Sequence, residues 1–322
     1  MLLLACVGCS SVADPRGEKP AAGSGDPPSE GCGPPAFQDV RGRTPSYVPR
    51  RLDRFPNDHA LCEGLWVRAD QSFVPQSLAV GRRTAWVSGY DGGGPRGTLL
   101  CRVVRLDLRS GRVLDQAAPI SGSVGGRPEV NCRHGGGLAR TAAGLWLAEG
   151  QRLWLLDPET LDVRRVWGLT DPLRGSFAVA DRQGRIGLGE FKLERFGRLD
   201  WFDAQALVTG ADVDLTSADA IDGQRVPPMA QGAVVADLGT GPSGVWFVTS
   251  NTRCGVLVDP GGNRLGFLPG AEGTVLRRGD LWTVSESGSR PYQDKGGRPI
   301  VPMLARFDAS RVEEWQGTTC RP

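Results

Sequence analysis

The chain has 322 residues, a hydrophobic content of 39% and a net charge of +2. This length accommodates one large all-β domain or two smaller domains, each with a real hydrophobic core. The nearly balanced charge argues against a nucleic-acid groove, and 46 glycines with 24 prolines indicate many turns rather than long helices.

Residues 1–9 are apolar and end in small residues beside cysteine. They resemble the end of a bacterial lipoprotein signal peptide, in which a Cys after a small residue is lipidated. Cys9 is our predicted lipidation site, and Cys6 is the alternative. No Lys or Arg precedes the apolar run, which is shorter than the usual h-region of about 7 to 15 residues. Either the natural start lies further upstream, or the segment is a plain secretory signal. We therefore expect an exported protein, either a bacterial cell-membrane lipoprotein or a secreted one.

Residues 10–36 are rich in Pro, Gly, Ser, Ala and charge. Such a stretch buries too little apolar surface to offset the entropy of ordering it, which predicts a disordered tether. Residues 37–72 are interpreted as an N-terminal extension that includes a strand at 64–70. Only a lipid anchor would link the chain to a membrane.

After the extension, the sequence contains five copies of a short unit that consists of a strand, an Asp and a turn. Its aspartates are Asp107, Asp157, Asp203, Asp259 and Asp308, separated by 50, 46, 56 and 49 positions. A repeat of roughly 40 to 50 residues built from short strands is typical of a β-propeller. We read the aspartates as turn caps, because Asp accepts hydrogen bonds from turn amides.

Each repeat also contains two earlier strands. The inner strands are Gln76–Val80, Gly136–Arg140, Gly175–Val179, Gln231–Val235 and Glu272–Leu276. The second strands, mostly centred on Trp, are Ala85–Val87, Leu145–Leu147, Arg185–Gly187, Val245–Phe247 and Leu281–Thr283. Small residues near the start of the inner strands would leave room for backbones that converge on a channel, and each Trp would pack between neighbouring sheets.

These elements predict an all-β fold, a β-propeller of five four-stranded blades over residues 73–322, with six blades as the alternative. We place the last fourth strand near Val312–Trp315. The strand at 64–70 would then pair at the edge of the last blade and help to close the ring.

Six cysteines remain after the signal, and an even number in an exported chain indicates disulfides. Cys101 could pair with Cys132 across the loop they enclose. Cys62 and Cys320 lie at opposite ends of the propeller, where a bond would lock the closure. Cys32 and Cys254 are the remainder.

Loop lengths predict where a site lies. Turns from first to second and from third to fourth strand are mostly short, whereas loops at 90–99, 119–135, 210–230 and 287–302 are long. The long loops should emerge on one face, around the channel mouth, where binding groups usually lie. The candidate ligand-binding residues there are Gln76, Arg133, His134, Glu149, Arg174, Glu190, Gln231, Glu272 and Glu286. The same face carries Asp91, Arg253, Arg290, Tyr292 and Asp294.

His134 is one of two histidines and stands at this entrance. It is either a proton-transfer group or metal ligand, or a structural loop histidine held by the neighbouring disulfide, which is the reading we favour. No cofactor is predicted, although calcium or another divalent metal is an alternative. An acidic group at Asp212, Asp214, Asp219 and Asp222 could hold calcium, but it lacks the order of a calcium loop, and a solvated loop is favoured.

The segments Trp86–Ser88, Gly136–Ala139 and Leu155–Thr160 resemble repeats of bacterial extracytoplasmic propellers of the NHL/YVTN and gluconolactonase-like type. The resemblance covers about 73–316 and implies a propeller with an end-face site. Its hydrolase branch implies a divalent metal held by acidic and Asn residues. The sequence therefore yields two hypotheses. The first is a binding or scaffold protein with a protein or small-molecule ligand at the long-loop face and no nucleic-acid partner. The second is a metal-dependent hydrolase or lactonase using Glu149, Glu190, Glu272 or Glu286.

Overall fold

A computed structural model describes residues 31–68, 72–93, 99–240, 243–296 and 299–322. Cys6, Cys9 and most of the predicted tether lie outside these residues. The described chain forms one unit, Gly31–Pro322. No helix within it is long and apolar enough to cross a membrane.

The strands follow one another as a series of antiparallel meanders. After β1 (Leu61–Leu65), blade one contains β2 (Phe73–Val80), β3 (Thr84–Asp91), β4 (Cys101–Asp107) and β5 (Val113–Ala117), followed by the hairpin β6 (Ser121–Gly122) and β7 (Val130–Asn131). Blade two contains β8 (Gly137–Thr141), β9 (Gly144–Glu149), β10 (Arg152–Leu156) and β11 (Val163–Leu169). Blade three contains β12 (Phe177–Ala180), β13 (Arg185–Gly189), β14 (Gly197–Asp203) and, after β15 (Asp214–Leu215), β16 (Asp222–Val226). Blade four contains β17 (Ala230–Ala236), β18 (Gly244–Asn251), β19 (Cys254–Val258) and β20 (Arg264–Phe267), and blade five contains β21 (Ala271–Arg277), β22 (Asp280–Ser285) and β23 (Leu304–Asp308).

Within the described residues, helices are few and short. The two α-helices are α1 (Ala204–Thr209) and α2 (Arg290–Gln293), and the 3-10 helices are Phe37–Asp39, Asp58–Ala60, Ser217–Asp219 and Ala309–Glu314. Five sheets of this kind confirm the prediction of an all-β propeller with five blades.

The ring is closed by the N-terminal extension. Strand β1 pairs antiparallel with β23, with Leu65 opposite Leu304, and supplies the fourth strand of blade five. A closing strand was predicted at 64–70, and it lies at Leu61–Leu65. The fourth strand predicted near Val312–Trp315 is wrong, because β1 already occupies the edge of β23 and the chain turns into the 3-10 helix Ala309–Glu314.

Hydrophobic clusters fill the spaces between blades, with one cluster of described residues at each of the five junctions. Trp86, Trp146, Trp246 and Trp282, each on a second strand, are buried in four of them. The predicted packing of these Trp residues between sheets is therefore confirmed.

The small residues of the inner strands have the predicted steric role. A Cβ atom on Gly137 would lie 2.5 Å from the backbone nitrogen of Ala178, and one on Gly232 would lie 2.5 Å from the carbonyl oxygen of Glu272. Neighbouring inner strands thus approach too closely for a larger residue.

All five repeat aspartates accept hydrogen bonds from backbone amides. Asp107, Asp157 and Asp259 cap tight turns between third and fourth strands. Asp203 and Asp308 instead cap helices, accepting from the amides of Ala206 and Ser310. The structural interpretation of these residues is confirmed.

The helix after Asp203 corrects one loop prediction. The chain leaves β14 at the short-turn face, which is the end of the propeller where first strands turn into second strands. It then forms α1, and β15 pairs with the outer edge of β11 before β16 pairs with β14 in blade three. The segment 210–230 is therefore not a single loop of the long-loop face. Only parts of it lie at that end, namely Asp214, which binds Arg127 there, and residues 227–229, which join β16 to β17. The described parts of 90–99, 119–135 and 287–302 do lie at that end, because they follow second or fourth strands.

Three disulfides join the six cysteines. The Cys101–Cys132 bond forms as predicted. The predicted pairing of Cys62 with Cys320, with Cys32 and Cys254 as the remainder, is wrong, because Cys62 is bonded to Cys32 and Cys254 to Cys320. The amide of Gly33 binds the carbonyl of Leu61, which places Cys32 beside β1. The C-terminal tail runs along β20, which brings Cys320 to blade four.

We expect Gly137→Ala to lower the free energy of unfolding by about 1–3 kcal/mol, because the added methyl group forces two inner strands apart. Gly150→Ala is the matched control, since a Cβ atom there meets nothing within 4 Å. Urea unfolding of the two variants measures the difference, and equal stabilities would contradict the close-approach argument.

Peptide mapping of the non-reduced protein should recover the pairs Cys32–Cys62, Cys101–Cys132 and Cys254–Cys320, because the fold brings the two cysteines of each pair together. Free thiols at these six positions, or a peptide linking Cys62 to Cys320, would be the opposite result.

Candidate functional site at the long-loop face

Three inner strands carry a β-bulge at the same point, close to the long-loop end of the channel. The register of β2 shifts at Gln76, that of β17 at Gln231, and that of β21 at Glu272 and the following glycine. Bulges re-aim side chains and are frequent beside functional sites. Blades four, five and one are adjacent in the closed ring, so the three polar residues lie on one side of the channel.

A loop from blade five lies over these bulges. Glu286 follows β22 directly, and its amide donates to the carbonyl of Gly270 at 3.0 Å. Gly270 has a φ of +64°, and a Cβ atom there would lie 2.9 Å from the amide nitrogen of Ser287. A glycine is therefore needed for the loop to approach so closely. Ser289 then precedes α2, which carries Tyr292 over β2.

These elements bring five side chains together, here called the carboxyl cluster: Gln76, Tyr90, Glu272, Glu286 and Tyr292. The Nε2 group of Gln76 donates to Oε2 of Glu286 at 3.1 Å. The hydroxyl of Tyr292 lies close enough to the carboxylate of Glu286 and to the hydroxyl of Tyr90 to interact with both. Glu272 contributes a second carboxyl, close enough to interact electrostatically with Glu286 and Tyr90.

The two carboxyls are buried, with exposed fractions of 2% for Glu272 and 7% for Glu286. Oε1 of Glu272 has no hydrogen-bond partner among the described residues. Neither carboxyl forms an ion pair with a described residue. A buried carboxyl without a cation or a full set of donors is expensive in its charged form.

The pKa values in the cluster follow from this burial. Burial, and then the neighbouring charge of Glu286, raises the pKa of Glu272 well above its usual range. Burial also raises the pKa of Glu286, while hydrogen bonds from Tyr292 and Gln76 oppose that rise. Burial raises the pKa of Tyr90 to about 12 and also raises the pKa of Tyr292. Burial and the charge of Glu286 therefore favour the protonated form of Glu272.

His134 lies at the rim of the cluster. Its ring stacks on Tyr90 with centroids 4.8 Å apart, and its backbone is left-handed with a φ of 75°. The imidazole is accessible to solvent, and partial desolvation by the surrounding groups lowers its pKa. The adjacent Cys101–Cys132 disulfide and a bond from its amide to the carbonyl of Leu99 fix the loop.

The other predicted residues are held elsewhere on the face by their own partners. Glu149 accepts from Arg152 at 2.6 Å and from the amide of Arg133 at 3.1 Å. Lys192 lies 2.6 Å from Glu190, and Arg174 donates to Asp171. The four glutamates proposed as metal ligands are thus not gathered into one group.

The described residues contain no group of three or more metal-ligating side chains. The acidic group predicted at Asp212, Asp214, Asp219 and Asp222 is dispersed. Asp214 pairs with Arg127, Asp219 caps Ser217–Asp219, and Asp222 lies 3.9 Å from Arg185.

Two features of the channel were absent from the sequence prediction. Tyr90, the residue that joins His134 to the carboxyls, was not among the candidates, although it is the first residue of the predicted long loop 90–99. The opposite, short-turn end holds a cavity of about 480 Å³.

No protein-family model matches the chain, and no curated protein matches it. Among solved structures, it is similar to a nidogen/laminin complex, with 10% identity over 66% of this chain and 73% of that chain and a TM-score of 0.38. It is also similar to the β-propeller domain of Cps50 (Swd1) from Myceliophteria thermophila, with 12% identity over 73% and 83% of the two chains and a TM-score of 0.35. A protein of unknown function from Bacteroides caccae is 10% identical over 75% and 80%, with a TM-score of 0.37. At these levels the likenesses carry no argument about function, and the protein is defined by its architecture as a five-bladed β-propeller.

Glu272→Gln should remove a pH-dependent penalty on folding. The folded-state pKa of Glu272 is raised, so the unfolded chain releases its proton first as the pH rises above the ordinary value of 4.5. Wild-type stability then falls by up to about 1.4 kcal/mol per pH unit until the folded-state pKa is reached. We therefore expect the melting temperature of Glu272→Gln to exceed that of the wild type by an amount that grows as the pH rises above 4.5.

Glu149→Gln is the control for this experiment. It also neutralises a buried carboxylate, but one that binds Arg152, so its melting temperature should fall below that of the wild type at pH 8. Parallel pH profiles for the wild type and Glu272→Gln would contradict the assignment of the proton to Glu272.

Proposed function

We propose that this protein is a binding protein whose long-loop face receives a protein or small-molecule ligand through a basic group. The basic group, an amine or a guanidinium, is held by the carboxyl cluster. The single observation that carries the proposal is the buried pair Glu272 and Glu286, with an oxygen of Glu272 that has no partner among the described residues.

A cation complements this pair better than any other ligand group. Two carboxyls without an ion-paired described residue lower the local potential, and an N–H donor would satisfy Oε1 of Glu272. Glu286 is already oriented by Gln76 and Tyr292, so little reorganisation accompanies binding.

The location of the pair also supports binding rather than a purely structural role. Tyr292 is half-buried and His134 exposed, so the buried carboxyls lie directly beneath a surface that is open to solvent. The left-handed backbone at His134 stores local strain, and such strain is concentrated at functional sites. Long loops on a rigid scaffold are the usual place for recognition.

The proposal retains the predicted cellular context. The protein would be exported and attached to the bacterial membrane through Cys9, or secreted, with repeats of the NHL/YVTN type. The hydrolase alternative has no geometric support in the described residues, because Glu149 and Glu190 are engaged by Arg152 and Lys192 rather than by a shared centre.

The test is a titration with butylamine and methylguanidine, together with butanol and butyrate as neutral and anionic analogues. We expect the cations alone to bind and to raise the melting temperature. The bound cation replaces the proton on Glu272, so the apparent affinity should increase with pH by up to about tenfold per unit while that carboxyl remains protonated in the free protein.

The variants Glu272→Gln and Glu286→Gln should each lose this binding at least tenfold. Glu190→Gln is the matched control on the same face, because its carboxylate is paired with Lys192 outside the cluster. Equal binding of the four probes, or an equal loss in Glu190→Gln, would overturn the proposal.

A further inference from the structure

The short-turn end of the channel contains a cavity of about 480 Å³, at the opposite end from the carboxyl cluster. It is lined by the final residues of all five inner strands and by parts of the turns that follow β8 and β12. This volume lies within the range of small-molecule sites, which is about 300 to 1,000 Å³.

Arginines surround the mouth of this cavity. Arg140, Arg182 and Arg277 contribute to its lining, and Arg278 follows directly after β21. None of these four forms an ion pair with a described residue. We call them the basic rim. The guanidinium of Arg140 lies 4.9 Å from the ring centroid of Trp86, which fixes its position.

Asp181 is the acidic residue among the described residues that line the cavity, and it does not neutralise the basic rim. Its carboxylate accepts hydrogen bonds from the amides of Gln183 and Arg185 and from the guanidinium of Arg185. The side chain of Asp181 is fully buried in these contacts. The mouth therefore carries an excess of positive charge.

The arginines of the rim are close enough to repel one another. The pKa of Arg277 is lowered by burial and then by the charges of Arg278 and Arg140. Arg277 and Arg140 belong to blades five and two, so their interaction crosses the mouth of the channel. An anion placed between them would remove this repulsion.

The wall of the cavity offers further hydrogen bonds. Each inner strand is the edge of its sheet and has a strand partner on one side only. The peptide groups on the other edge face the channel, where their N–H and C=O groups can bind a ligand.

We propose that the short-turn end of the channel is a binding site for a small organic anion, a carboxylate or a phosphate ester whose remaining part carries hydrogen-bonding groups. The basic rim binds the anionic group, and the edges of the inner strands bind the polar remainder. Arg140 and Arg277 are the principal contacts, because both line the cavity and they belong to blades that are not neighbours in the ring.

Calorimetric titration at low ionic strength tests this site with citrate, glycerol 3-phosphate and inorganic phosphate, and with glycerol as the neutral probe. We expect citrate or glycerol 3-phosphate to bind one per chain and more tightly than inorganic phosphate, while glycerol does not bind. The stronger of the two identifies a carboxylate or a phosphate ester. In Arg140→Gln/Arg277→Gln the affinity should fall at least tenfold.

Arg109→Gln is the matched control, since Arg109 is an exposed arginine on a third-to-fourth turn of the same face. Its affinity should stay within twofold of the wild type. The melting temperature is a second readout that tests whether a variant is misfolded. Arg277→Gln alone removes a like charge, so its melting temperature should not be lowered in low salt. Absence of anion binding by the wild type, or an equal loss in Arg109→Gln, would overturn the inference. Binding only to phosphatidylglycerol vesicles would also overturn it and would indicate a membrane-facing surface instead.

Discussion

The close approach of five inner strands around one channel is the constraint on which the rest of the structure depends. Gly137 and Gly232 lie against the backbones of neighbouring blades, where no side chain fits. The sheets must therefore radiate outward, and their side chains pack between blades in five clusters. Because the strands alternate in direction, the same arrangement divides the connections into two faces with different loops.

The sequence predicts the blades well because each carries its own local signals. Small residues, a central Trp and a capping Asp recur at a nearly constant spacing. The errors arise where one local signal has two structural outcomes. Asp203 and Asp308 cap helices with the same hydrogen bond that Asp107 uses to cap a turn. The predicted fourth strand near Val312–Trp315 was wrong for this reason, and the prediction of 210–230 as one loop of the long-loop face was wrong in part.

The sequence predicts the face on which the candidate site lies, but it does not predict which side chains contact one another there. Gln76 and Glu286 are 210 positions apart in the chain and meet only because β1 closes the ring and makes blades five and one neighbours. The bulges at Gln76 and Glu272 leave no composition signal, and neither does the stacking of His134 on Tyr90. The disulfide pairs show the same limit, because Cys32 and Cys320 are placed by terminal segments that follow blade edges without a strand pattern of their own.

The two ends of the channel have opposite charge, and a single strand carries both. Strand β21 has Glu272 near its start and Arg277 at its end. Five residues of extended chain span about 17 Å. This is roughly twice the screening length at physiological salt, about 8 Å, so each end responds to its own charges. Gly273 lies between them, where a Cβ atom would meet the backbone of Ser77 at 2.6 Å. This contact fixes the register of β21, and a shift of one residue would move both Glu272 and Arg277 away from the channel mouths they occupy. The steric constraint that closes the ring thus also determines which charge faces each end.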